Sequence, residues 1–121
     1  MAMQGTSFSA RIRSNSSLYS VGIEEEYFIS KLESRDACQK MPAALAALCR
    51  GARGPFEREL LQSQIEAATR PCEDLAEARA LLAGYRAMLG AAGTENGFGV
   101  VAAGTHPKAL WPRQRGTDGA R

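Results

Sequence analysis

Three glutamates in a row interrupt an otherwise apolar run, SVGIEEEYFIS, from Ser20 to Ser30. In an extended strand alternate side chains share a face, so Glu24 and Glu26 stand together at roughly 7 Å. Glu25 points the other way, between Ile23 and Tyr27. Two carboxylates at that spacing repel unless something positive lies between them, and a hard divalent cation such as Mg²⁺ takes oxygen ligands of this kind. An edge strand that turns its glutamates to water, discouraging aggregation, gives the same pattern. For this stretch in isolation the edge strand is the simpler account.

A second group lies in FERELLQSQIEAATRP. Gln62, Gln64 and Glu66 alternate along one face of a strand. The amides could orient a polar substrate, Glu66 could be a further metal ligand, and Glu59 could approach from the strand's end. An amphipathic segment with its wet side outward reads the same way. The third group is AAGTHP, Ala102 to Pro107, which holds the sole histidine, His106. A Gly-Thr-His-Pro turn after an apolar run would fix the ring's direction. Neutral imidazole suits a ligand or a hydrogen-bonding partner near a phosphate-bound cation. A lone histidine is also often unremarkable, and spacing does not decide between the two. No GxxxxGK[ST] loop, GxGxxG, HExxH or GxSxG is present, so a bound nucleotide would not be held by a P-loop.

The elements that must position these residues are partly legible. Residues 21–30 read as a strand, rich in Val, Ile, Tyr and Phe. An Ala/Leu-rich helix runs through Arg50, with Leu45, Leu48 and Cys49 at helical spacing and Pro42 near its first turn. GARGP at 51–55 is a loop, and residues 60–68 form a strand. The clearest helix follows Pro71: Leu75, Ala78, Leu82, Tyr85 and Leu89 make one apolar stripe, with acids in its first turn and stops offered at Gly90 and Gly93. Asn96-Gly97 is a turn signal before a short strand at 98–104. Strands buried on both faces should be unbroken apolar runs, and two of these three are not. The class is therefore α+β, with one sheet face on a core and the other lined with polar groups.

A chain of 121 residues has the size of one domain. The net charge of +2, with no basic–aromatic clustering, is too small to argue for nucleic acid or an anionic membrane, and neither is expected as a partner. No apolar run approaches the ~20 residues of a membrane helix. Residues 1–18 are Ser-rich with two arginines and no acid, faintly like a transit peptide, and lack a secretory signal's apolar core. They read as a disordered leader. Cys38, Cys49 and Cys72 are scattered and odd in number, which argues against a disulfide framework or zinc knuckle and suits a cytoplasmic setting.

Taken in order, SVGIEEEYFIS, LLQSQIEAATRPCEDLAEAR and VAAGTHPKALW resemble the YbdK-type carboxylate–amine ligases, the glutamate–cysteine ligase type 2 family, from about Tyr19 to Trp111. The resemblance implies part of a curved antiparallel sheet with helices on one side, as in glutamine synthetase and the guanido kinases. It also implies an enzyme that uses ATP and Mg²⁺ to activate a carboxylate, glutamate-like, for attack by an amine, cysteine-like. Carried over, Glu24, Glu26, Glu66, His106 and Glu59 become metal ligands, Thr105 and His106 cofactor contacts, and Gln62, Gln64 and Thr69 substrate contacts. No separate catalytic residue is assignable. The family pattern stops after Trp111, so 19–111 reads as the N-terminal part of a ligase domain, inactive alone, and 112–121 as an unpacked tail. An incomplete sheet predicts self-association. A non-catalytic binding module, or a remnant derived from the family, is the alternative.

Overall fold

The computed structural model describes residues 19–51 and 54–118; the expected leader, residues 1–18, lies outside the described residues. Strand β1 (Glu24–Lys31) is followed by helix α1 (Ala43–Leu48), β2 (Phe56–Arg58), β3 (Gln64–Ala68), helix α2 (Leu75–Asn96), β4 (Phe98–Ala102) and a 3₁₀ turn at Trp111–Arg113. The strands form one antiparallel sheet in the order β2-β3-β1-β4.

Alternation sorts the two faces. Tyr27 and Ile29 of β1 turn inward with Ile65 and Ala67 of β3, Phe56 and Phe98, and are covered by Leu45 of α1 and Leu89 of α2. Both helices thus contribute to one core on one side of the sheet. Burial of these side chains contributes roughly 1.5–3 kcal/mol each for the larger ones. The opposite face carries Glu24, Glu26, Phe28 and Ser30 of β1 beside Gln64 and Glu66 of β3.

The curved sheet expected from the resemblance is not what forms. The sheet is open and neither curves nor closes, with β2 and β4 as its edges among the described residues. The cause is visible in the register. Every ladder runs without a skipped residue, from Glu24↔Ala68 to Phe28↔Gln64 and from Tyr27↔Ala102 to Lys31↔Phe98. Curvature and closure are built with bulges and glycine kinks, and these ladders contain no bulge.

Smaller departures have local causes. The expected strand at 60–68 begins only at Gln64, because residues 62–63 turn after an isolated bridge from Leu61 to Gly116, and the three-residue β2 precedes it. Helix α2 runs past both offered stops to Gly97, which caps it at φ 74°. It tolerates Gly93 because the helix lies so close to β4 there that a Cβ would stand 2.5 Å from the Phe98 carbonyl oxygen. Its start is capped by Asp74, whose side chain accepts from the Glu77 amide at 2.8 Å. Residues expected to be an unpacked tail are tied back instead. The Gln62 amide donates to Arg115 O at 2.8 Å, and the Thr117 amide to Leu60 O at 2.9 Å.

Candidate metal centre

The polar face gathers its acids across three strands. Glu26 is the register partner of Glu66, and Glu66 is in turn the partner of Glu57 on β2. Glu59, just past the end of β2, turns back toward them. Among the described residues, Glu26, Glu59 and Glu66 form a group whose carboxylate oxygens all lie within 4.8 Å of one another. The carboxyl of Glu66 is pushed up to about 7, first by burial, then by its hydrogen bond with Glu59 and the charges of Glu24, Glu59 and Glu57. Such a set of hard oxygen donors, already in mutual repulsion, fits a divalent cation.

Glu25 answers part of the opening puzzle differently. It lies on the helix side, where Arg86 of α2 donates Nε–H to Oε2 at 2.9 Å and pairs with Oε1, while the Tyr27 hydroxyl also donates to Oε2. The Arg86 guanidinium holds the Glu25 carboxyl below the usual carboxylate range. Burial first, and then the hydrogen bond to the Glu25 carboxylate, push the Tyr27 hydroxyl up to about 12.

The other sequence candidates are placed as follows. Glu24 stands outside the group of three, though its charge acts on Glu66. The turn at 104–106 passes beside the cluster: a Cβ on Gly104 would lie 3.1 Å from Glu26 Oε2, and Gln64 Nε2 reaches Gly104 O at 3.5 Å. His106 is buried within that turn, edge-on to Phe28 at 5.5 Å. The Lys108 amide donates to its Nδ1 at 3.1 Å, and Nε2 lies 2.9 Å from Ser30 Oγ. With Nδ1 accepting, the proton is assigned to Nε2, which donates to Ser30. The ring therefore has neither a lone pair for a cation here nor a base for the serine hydroxyl, and it is not brought into the carboxylate group.

Gln62 is engaged with Gly116 O at 3.0 Å, and Thr69 Oγ1 accepts from the Ile23 amide at 3.0 Å. Of the three expected substrate contacts, only Gln64 lies beside the turn next to Glu26. Thr105 is exposed on that turn. Glu57 escaped the sequence reading. The alternation Phe-Glu-Arg-Glu would have paired it with Glu59, by the rule that paired Glu24 with Glu26.

An open antiparallel sheet with helices on one face and converging carboxylates on the other defines a class of candidate cation-binding domain. The family model described as Glutamate-cysteine ligase family 2 (GCS2) matches residues 20–121, and the chain belongs to that family. It is 41% identical over 98 residues to a protein of Ectopseudomonas mendocina (strain ymp), covering 80% of this chain and 26% of that one. A Pseudomonas fluorescens protein is 40% identical over 98 residues, with 80% and 25% covered. One of Bradyrhizobium diazoefficiens is 38% identical over 104 residues, with 85% and 24% covered. All three are provisionally named glutamate–cysteine ligase 2. The chain spans about a quarter of the length of these curated relatives.

Proposed function

We propose that this chain supplies the cation-binding part of an ATP- and Mg²⁺-dependent carboxylate–amine ligase. The observation that carries the proposal is the convergence of Glu26, Glu59 and Glu66 on the sheet face away from the core, in a chain of this family. These three carboxylates would hold Mg²⁺, with Glu24 adding negative potential from the same face. When bound, ATP and Mg²⁺ supply a phosphoryl group for activating a carboxylate and positive charge against the phosphates. The chain's own part is to fix the donors. The β1–β3 pairing sets Glu26 against Glu66, and Arg86 draws Glu25 to the opposite side. Thr105 and His106 are proposed to border the phosphates from the turn beside Glu26, His106 by anchoring that turn through Ser30 and Lys108. A glutamate-like acid and a cysteine-like amine are the proposed substrates. A reducing, cytoplasmic setting is proposed from the three free thiols, Cys38, Cys49 and Cys72. No helix among the described residues is long and apolar enough to cross a membrane.

Calorimetric titration with Mg²⁺ or Mn²⁺ tests the cluster. One ion is expected to bind per chain, and Glu26→Gln and Glu66→Gln are each expected to weaken it by about tenfold or more, the loss of one charged donor. Binding that survives both substitutions unchanged would sink the proposal. The chemistry is tested on this chain joined to the remaining three quarters of a relative's length. ADP release should then depend on an acid, an amine and an intact Glu66.

A further inference from the structure

A second, smaller site adjoins the carboxylates on the same sheet face. A cleft of about 230 Å³ opens over the register pair Phe28↔Gln64, between the 104–106 turn and the segment that carries Trp111 and Gln114. It falls below the roughly 300–1,000 Å³ usual for whole ligands, so it suits one part of a larger molecule. Its lining holds no charged side chain: His106 is there, but both ring nitrogens are already engaged. Trp111, the chain's sole tryptophan, is 74% exposed, which leaves ring surface free for stacking. Two amides border the cleft with one group each to spare. Gln114 Oε1 accepts from Ser63 Oγ at 2.6 Å, and Gln64 Nε2 reaches Gly104 O at 3.5 Å. Among the described residues, Gln114 Nε2 and Gln64 Oε1 make no hydrogen bond, so the cleft offers one donor and one acceptor.

We propose that this cleft holds the adenine base of ATP, with Trp111 as its stacking platform. The inference rests on the ligase reading above and adds the place where the nucleotide's base sits. A flat, neutral aromatic base matches an uncharged lining and an open indole, because every base has a π-face to stack. An amino-acid substrate does not, since its carboxylate and ammonium would meet no counter-charge there. The two amides match adenine's edge, whose exocyclic amine donates and whose ring nitrogen accepts. Gln64 lies two residues from Glu66 on one face of β3, which sets the two side chains roughly 7 Å apart. A base at Gln64 therefore leads its sugar and phosphates past Gly104 and Thr105 toward the cluster of Glu26, Glu59 and Glu66.

Because the chain has one tryptophan, its emission reports on this cleft directly. Titration of the 121-residue chain with adenosine, without phosphate or metal, should quench that emission to saturation. Uridine, with a smaller stacking face, should bind several-fold more weakly, and so should purine riboside, which lacks the exocyclic amine. Trp111→Ala, followed by NMR through the Gly104 and Thr105 amides, should weaken adenosine binding about tenfold or more, and Trp111→Phe should recover part of the loss. The side chain is exposed, so the spectrum of the folded chain is expected to survive both changes. Absence of saturable quenching, equal affinity for uridine or purine riboside, or equal affinity in Trp111→Ala overturns the proposal. A parallel Mg²⁺ titration separates it from the ligase reading. Metal binding without adenosine binding overturns the cleft alone, and adenosine binding without metal binding supports the cleft and overturns the cation site.

Discussion

Glu66 has Glu26 opposite it on one side and Glu57 on the other, with Glu59 hydrogen-bonded to its carboxyl and Glu24 nearby. Its proton is held to about pH 7, well above the ordinary value of 4.5. A folded-state pKa raised in this way means the folded chain binds more protons than the unfolded one between those values. Stability from this group is therefore full below about 4.5 and is lost as pH rises through about 7. Glu25 has the opposite sign. Arg86 depresses its pKa, so its contribution is present above the unfolded value and is lost as pH falls through the folded one. Thermal melts of the metal-free chain from pH 3 to 9 should show both limbs. Glu66→Gln should flatten the alkaline limb and stabilise the chain at pH 8, by ~1 kcal/mol or less once solvent screening is allowed for. Glu25→Gln should flatten only the acid limb. A Glu66→Gln variant that melts lower than the parent at pH 8 would show that the carboxylates are not in repulsion.

Two glycines of α2 separate what a helix tolerates from what its packing demands. A Cβ at Gly90 would meet nothing within 4 Å, whereas at Gly93 it would meet the Phe98 carbonyl oxygen at 2.5 Å. Gly90→Ala should stabilise the chain by ~0.4–1 kcal/mol, through helix propensity and a less free unfolded state. Gly93→Ala should cost about 1–3 kcal/mol, because helix and strand must separate. Denaturant unfolding of the pair measures both, and equal stabilities would refute the close approach. These glycines also show what could be read in advance. The 3.6-residue period from Leu75 to Leu89 revealed the helix, but its continuation past Gly90 depends on a tertiary contact with β4 that no period records. The alternation in Glu24-Glu25-Glu26 was legible because β1 is eight residues long. At three residues, β2 is too short to carry a period, so Glu57 was missed with it. The curvature came from the resemblance alone, since nothing in these strands themselves encodes a bulge. His106 was visible as chemistry, but its two occupied nitrogens depend on Ser30 and Lys108, neither of which the turn sequence marks.

At the scale of the whole molecule, the candidate cation site ties together parts that are far apart in the chain. Glu26 comes from the first strand, Glu59 from the segment between β2 and β3, and Glu66 from β3. Without a cation these carboxylates oppose the pairing that brings them together, so the core on the other face must hold the sheet against them. A bound divalent ion reverses that term, and because the site exists only when the three strands are paired, the ion binds the folded state and not the unfolded chain. Mass action then stabilises the entire fold by about 1.4 kcal/mol at ten times the dissociation constant. Melting the chain at pH 8 across a Mg²⁺ series should therefore raise Tm progressively, while an ionic-strength control with Na⁺ should give a smaller, saturating rise from screening alone. Glu26→Gln and Glu66→Gln should start from a higher Tm without metal and gain less with it. Glu57→Gln, removing a neighbour outside the group of three, should keep most of the Mg²⁺ response. If Mg²⁺ and Na⁺ act alike at equal ionic strength, the glutamates are a solvated polar face and the strand's opening charge needs no ion to explain it.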